Sequence, residues 1–278
     1  MRILLTNDDG ISAPGLKELA RAFAAEFPDV AVVAPAADFS GVGTSISHNT
    51  AGVGGPQALR PRPERLPGIE RIPAHSVDGP PALAVLLAFA GACGPVPDLV
   101  VSGINSGPNI GVGILHSGTV GAALTAAGLG VPALAVSLDN HWHRGPHTVE
   151  EPRTRHWETA SAVAVELLPA LQALRREPAV LNVNVPDVPA ERLREQRAAA
   201  VAPVDVLDLV ERGGSAILDM RPATAELPDG RATDAGLLLA GHVTVSSLRL
   251  TETPLWPAGA VPAAEAAAPV DTLPREHA

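Results

Sequence analysis

The chain has 278 residues, a formal net charge of -10, 46% hydrophobic residues and no tyrosine. That hydrophobic content excludes a mostly disordered protein, and the length suits one large domain or one domain with an extension. The acidic balance leaves no footprint for duplex nucleic acid, and the scarcity of aromatic residues argues against base stacking on single strands. Small anionic substrates remain open, because a bound metal can supply the local positive charge. Cys93 is the only cysteine, so no intrachain disulfide forms and a reducing compartment suits the chain. The N-terminal residues are not expected to act as a signal peptide. The longest apolar run, residues 82–93, is shorter than the ~20 residues of a membrane span. A cytoplasmic protein with no membrane partner is expected.

In chain order, residues 2–6 read as a buried strand. Leu16, Leu19, Ala20, Phe23 and Phe27 keep helical spacing, and residues 30–34 form a second strand. Residues 52–68, rich in Pro and Gly, read as a surface loop. A helix over 83–90, a strand over 99–102, a helix over 120–127, a strand over 133–138, a helix over 157–174 and a strand over 180–185 follow. Buried strands alternating with helices imply a three-layer, Rossmann-like, mostly parallel sheet covered on both faces. Candidate strands at 201–209, 216–220 and 242–250 read as a C-terminal antiparallel β extension. The domain reading is thus 1–256, with 201–250 as an arm, and 257–278 as a disordered tail.

Thr6-Asn7-Asp8-Asp9-Gly10 sets two adjacent carboxylates where the first strand should end, at the sheet edge where α/β folds bind ligands. Such a pair repels itself unless a cation lies between, and a hard divalent metal is the usual answer. Its bland alternative is a solvated turn. Three more segments follow strands. Asp38 to Ser45 offers the Ser40 hydroxyl and, at Gly41, a close approach of backbone to ligand. Ser102 to Asn109 sets Asn105 and Asn109 on a glycine-rich loop. His116-Ser117-Gly118-Thr119 opens a helix, either as plain N-capping or as a phosphate seat of hydroxyls and free N–H groups. Convergent on one edge, the four segments supply carboxylates, a hydroxyl and an amide for a metal beside an anion seat. Metal-assisted phosphate ester hydrolysis follows.

Asn7-Asp8-Asp9-Gly10 with Ala13-Pro14-Gly15, Ser40-Gly41, residues 98–105 (PDLVVSGIN), Ser117 to Val120, residues 181–189 (LNVNVPDVP), and Thr233-Asp234 leading to Gly241-His242-Val243 resemble the motifs of the SurE family of nucleotidases. The resemblance runs in order over residues 1–250. It implies a divalent-metal-dependent 5'- or 3'-nucleotidase with metal ligands at Asp8, Asp9, Ser40 and Asn105. It also implies homodimers or homotetramers that exchange a C-terminal arm. One divalent metal per subunit, Mg or Mn, is expected, with a small phosphorylated substrate. The chain departs from the family pattern at Ala37-Asp38-Phe39, where two basic residues are usual. It departs again at Val112-Gly113, where paired acids are usual, and at His116, where Tyr is usual.

The catalytic candidates are Asp8, Asp9 and Ser117, with one of the acids accepting a proton from the attacking water. The substrate-binding candidates are Asn7, Gly41, Asn109, His116 and Thr119, with His116 also a candidate acid for the leaving oxygen. A receiver domain is excluded, because the strand over 99–102 ends in Ser102-Gly103 rather than an acceptor Asp. A non-enzymatic nucleotide sensor and a phosphatase of some specialised-metabolite phosphate stay as alternatives.

Overall fold

The structure, a computed structural model, describes residues 1–46, 60–139, 155–173, 179–212, 215–224 and 226–249. Its first half runs β1 (Ile3–Thr6), α1 (Pro14–Glu26), β2 (Val30–Pro35), β3 (Arg62–Glu64), β4 (Ala74–Val77), α2 (Pro81–Phe89), β5 (Leu99–Ser106), α3 (Gly118–Gly128) and β6 (Ala133–Leu138). The second half runs α4 (Trp157–Glu166), α5 (Leu168–Ala173), β7 (Ala179–Val185), β8 (Arg194–Ala198), β9 (Val204–Arg212), β10 (Ser215–Pro222), α6 (Asp234–Leu239) and β11 (His242–Arg249). A short 3₁₀ segment, Gly111–His116, precedes α3.

Among the described residues, nine strands form one sheet in the order β3-β4-β2-β1-β5-β6-β7-β11-β8. Strands β4, β2, β1, β5, β6 and β7 are parallel, whereas β3 and β11 run antiparallel to their neighbours β4 and β7. Every residue of β1, β2, β6 and β7 is buried, as expected of strands covered on both faces. One face packs Ile3, Leu5, Val101 and Val136 against Leu16 and Phe23 of α1, Ala160 of α4 and Leu171 of α5. The other packs Leu4, Val100, Ala133 and Val180 against Leu83 and Val85 of α2 and the Ala-rich face of α3. The scarcity of aromatics makes this an aliphatic core of thin layers.

The α2/α3 face changes character along the strands. Toward the N-terminal ends it is apolar, through Leu4, Val100, Ala133 and Val180. At the C-terminal ends, Asn105, Ser137, Asn184 and Thr244 are consecutive cross-strand partners. A register shift in β5 between Ser102 and Asn105 brings Asn105 into that row.

Several expectations need correction. Strand β5 extends to Ser106, so Asn105 stands on the strand rather than on a loop beyond it. The helix expected over 157–174 is two helices, broken before Pro169, which lacks the N–H for an interior helical bond but suits a first turn. The 52–68 loop contains edge strand β3, and its residues to 59 lie outside the described part. Of the proposed antiparallel extension, β9 and β10 form a separate two-stranded hairpin, but β11 enters the main sheet between β7 and β8. Val243 is buried on one face of this strand and Thr244 and Ser246 on the other, and the strand pairs antiparallel along β7. The tail over 257–278 lies outside the described residues.

Helix α1 reaches the sheet through Gly15, where a Cβ would sit 2.2 Å from the Ile104 carbonyl oxygen and 3.0 Å from the Trp157 ring. Gly→Ala in a helix normally gains roughly 1 kcal/mol. Here the contact is with backbone that cannot yield, and overpacking of about 1–3 kcal/mol outweighs that gain. Gly15→Ala is therefore expected to lower the urea midpoint. A midpoint at or above the parent's would show that α1 can move away from β5 freely.

Candidate active site

Chain reversal after β1 brings both acids to the C-terminal edge of the sheet. Asn7 is fully buried and its amide donates to the Gly10 carbonyl at 3.0 Å, closing the turn. Gly10 completes it at φ +98°. Asp8 is 3% exposed and lies under the N-terminus of α3, where its Oδ1 accepts the Thr119 hydroxyl. That approach needs a residue without a side chain, since a Cβ on Gly118 would meet Asp8 Cβ at 2.7 Å and Oδ2 at 2.8 Å.

The loop after β2 is tied to the same point. Phe39 N–H donates to the Asp8 carbonyl at 2.8 Å, and Gly43 N–H donates to the His116 carbonyl at 3.0 Å. Gly121 admits this loop, because a Cβ there would stand 2.2 Å from Gly43 O. Within the loop, Asp38 Oδ1 accepts both the Ser40 N–H at 2.7 Å and the Ser40 hydroxyl at 2.6 Å. A hydroxyl that donates to a carboxylate keeps its oxygen lone pairs for a cation. Across the cleft, Asn105 donates its amide N–H to Gly107 O at 2.8 Å, so its amide oxygen is the atom left to serve as ligand.

Asp8, Asp9, Ser40 and Asn105 all line one cleft of about 480 Å³, together with Gly41, Asn109, His116 and Ser117. Ile110, Val112, Val204 and Pro222 form its apolar side, and among the described residues no lysine or arginine is part of the lining. Burial, then the charges of Asp8 and Asp38, push the Asp9 carboxyl up to about 6, while the Ser106 backbone and the Arg155 charge act the other way. Burial likewise raises Asp8, against the lowering effect of the Thr119 hydroxyl. Among the described residues no three His, Cys, Asp or Glu side chains gather as a metal cluster. The donor set is therefore two carboxylates plus a hydroxyl and an amide oxygen. All four are hard oxygen donors, and the crowded acids lack a counter-charge in the lining, which fits a divalent cation.

Not every expected site residue reaches the cleft surface. Asn7 and Thr119 are 0% exposed and stand behind the lining, engaged with Gly10 and Asp8. The α3 N-terminus thus spends its Thr119 hydroxyl on Asp8 rather than on an open anion seat. Ser117 caps α3 by accepting the Val120 N–H at 3.1 Å, and it also faces the cleft. His116 is exposed at the end of the 3₁₀ segment.

Sequence reasoning missed Asp38 as the residue that orients Ser40, and Arg155 as the cation coupled to Asp9. Arg155 also contacts Asp187 Oδ2 at 3.3 Å and covers the Trp157 ring at 4.9 Å. It missed Ser137, Asn182 and Asn184 as well, whose polar side chains inside apolar strands were the available signal. Asp234, 0% exposed, accepts N–H groups from Gly111 at 2.9 Å and Ala202 at 3.0 Å, tying the cleft lip to the root of the hairpin.

The family model described as "Survival protein SurE" matches residues 3–205. A 5'/3'-nucleotidase SurE from Citrobacter koseri is 37% identical over 261 residues, covering 91% of this chain and 92% of that protein. The one from Cronobacter sakazakii is 38% identical over 263 residues, covering 91% and 92%. The SurE protein from Aquifex aeolicus superposes with a TM-score of 0.67 at 27% identity, covering 91% of this chain and 95% of that one.

The raised Asp9 carboxyl has a thermodynamic consequence. Its folded value, about 6, exceeds the ordinary 3.8, so the native state binds the proton more tightly than the unfolded chain does. The contribution of Asp9 to stability without metal is therefore fully present below about 3.8 and lost as pH rises through about 6. A cation beside Asp9 reverses that penalty. The rise in Tm on adding MgCl₂ or MnCl₂ should be larger at pH 7.5 than at pH 5. An equal rise at both would separate the cation from Asp9.

Proposed function

The chain belongs to the SurE family, and on that premise we propose that it hydrolyses nucleoside 5'- or 3'-monophosphates to nucleoside and phosphate with a divalent metal. The observation that carries this reading is the convergence of Asp8, Asp9, Ser40 and Asn105 on one cleft at the C-terminal edge of a parallel sheet. We assign one cation per subunit to these four residues, with Mg or Mn as the ion.

A cation held there supplies Lewis acidity toward a phosphate oxygen and lowers the pKa of a water. The residues do the rest. Thr119 and Gly118 fix Asp8, which makes it the more rigid ligand. Asp9 is half-buried and lines the cleft, and it is the acid we assign to accept a proton from the attacking water. Asn109 and Ser117 face the position of the phosphate and steady its oxygens. Gly41 brings backbone close to the substrate, and His116, at the cleft mouth, gives a proton to the leaving oxygen. Asn7 acts indirectly, by holding the turn that aims both acids.

Among the described residues no helix is long and apolar enough to cross a membrane, and we place the protein in the cytoplasm. The hairpin of β9 and β10 pairs only with itself within the described chain. Strands with unpaired edges need a partner, which supports a homodimer or homotetramer built through this arm.

Phosphate release from a panel of nucleoside monophosphates, with MnCl₂ or with EDTA, tests the reading. Asp8→Asn should abolish turnover and weaken metal binding while the protein stays folded, because one cation-holding charge is lost. Full activity in EDTA would overturn both the metal site and the mechanism.

The lining also sets a limit on charge. With no lysine or arginine among its described lining residues, these residues offer a second phosphate no charge-assisted contact, and each such contact contributes about 1.5–3 kcal/mol in a desolvated site. Nucleoside monophosphates should therefore exceed short-chain polyphosphate in kcat/KM by at least about tenfold. Equal cleavage of the two would show that a cation from elsewhere enters the site.

A further inference from the structure

Strand β7 carries Asn182 and Asn184, both 0% exposed, and neither has a part in the mechanism above. Both amides reach one residue. Asn184 accepts the Asn109 backbone N–H at 2.7 Å and donates to the Asn109 carbonyl at 3.0 Å. Asn182 donates to the same carbonyl at 2.8 Å. Ser137 of β6 accepts the Asn109 side-chain N–H at 2.8 Å. Asn109 belongs to no strand, yet a side-chain amide pairs with its backbone as a neighbouring strand would.

The cost of this arrangement shows what it serves. Among the described residues the buried Oδ1 of Asn182 has no hydrogen-bond partner, and such an atom destabilises the fold. Apolar residues at these places would pack the α2/α3 face better. What the polar trio secures is the backbone of Asn109, which follows Gly107 (φ +131°) and Pro108 and has no regular structure to hold it. The Asn109 amide nitrogen has two N–H groups; one is spent on Ser137, and the other remains for a ligand in the cleft that Asn109 lines.

We propose that Asn184, assisted by Asn182 and Ser137, is a positioning residue that fixes Asn109 so that its free amide N–H meets the phosphate. This rests on the phosphomonoesterase reading of the cleft. It predicts a phosphate-side effect, not a metal-side one, because the side-chain hydrogen bonds of the trio go to Asn109, while Ser137 meets Asn105 only as a cross-strand neighbour.

The test uses the full chain with Ser137→Ala, Asn184→Ala, Asn109→Ala and the two double variants with Asn109→Ala. KM and kcat for a nucleoside monophosphate, Kd for inorganic phosphate and Kd for Mn²⁺ are measured on each. Ser137→Ala and Asn184→Ala should each raise KM and the phosphate Kd by about tenfold, the scale of one lost hydrogen bond. The Mn²⁺ Kd should stay within about twofold. In the Asn109→Ala background either change should add less than about twofold, because its route to the phosphate is already gone. Additive losses, or an unchanged phosphate Kd, would overturn the proposal. Should Asn184→Ala fail to fold, Ser137→Ala decides, since it removes a single hydroxyl. A wild-type protein that binds phosphate but releases none would sink the hydrolase reading alone, with the phosphate Kd still deciding the role of Asn184. A wild type that does not bind phosphate would overturn both.

Discussion

Keeping Asp8 buried under the first turn of α3 is the constraint from which the rest of the cleft follows. A carboxylate at 3% exposure is costly unless its oxygens find donors. Here the Thr119 hydroxyl and the partial positive charge of a helix N-terminus provide them. Meeting that need requires Gly118, because any side chain there would occupy the space of Asp8 itself. It also requires the loop after β2 to lie close, since Phe39 N–H closes on the Asp8 carbonyl. Gly121 in turn has to be bare to admit Gly43. One buried acid thus accounts for two helix glycines and for the placing of Ser40, whose hydroxyl Asp38 then orients.

Asp9 contributes by contrast. Burial raises both carboxyls, but Asp8 has the Thr119 hydroxyl acting against it, whereas Asp9 has the Ser106 backbone and the Arg155 charge. Two neighbouring acids are in this way given unequal properties, one fixed and one near 6.

Much of the fold was legible because buried parallel strands and apolar helices leave strong local patterns. The runs at 30–34, 133–138 and 180–185 lie within or coincide with β2, β6 and β7. The failures have physical causes of the same kind. Edge strands β3 and β8 are exposed and short, so no hydrophobic period marks them. The role of β11 is a long-range pairing, and nothing within residues 242–249 states which strand will receive it. At the site, the residue types that bear chemistry were visible, and four metal candidates did converge on one cleft. What sequence could not separate was a polar residue facing the cleft from one holding another in place. Asn7 and Thr119 are of the second sort, and only burial distinguishes them from Ser117 or Asn109.

The same distinction explains why the polar row on the α2/α3 face escaped notice. Ser137 in β6, and Asn182 and Asn184 in β7, sit in strands whose other residues are aliphatic, and singly each reads as an ordinary tolerated polar position. Cross-strand register makes Ser137 the neighbour of both Asn184 and Asn105, so the sheet face turns from apolar to polar over its last two residues. That gradient sets how far helix packing can extend. Alanine-rich α3 covers the apolar part and stops at Gly118, where the polar row begins to need partners that a helix surface cannot supply. The loop carrying Asn109 fills that role with its backbone, and the cleft exists because a helix does not. The functional edge of this sheet is therefore set by side-chain chemistry within the strands as much as by the loops that follow them.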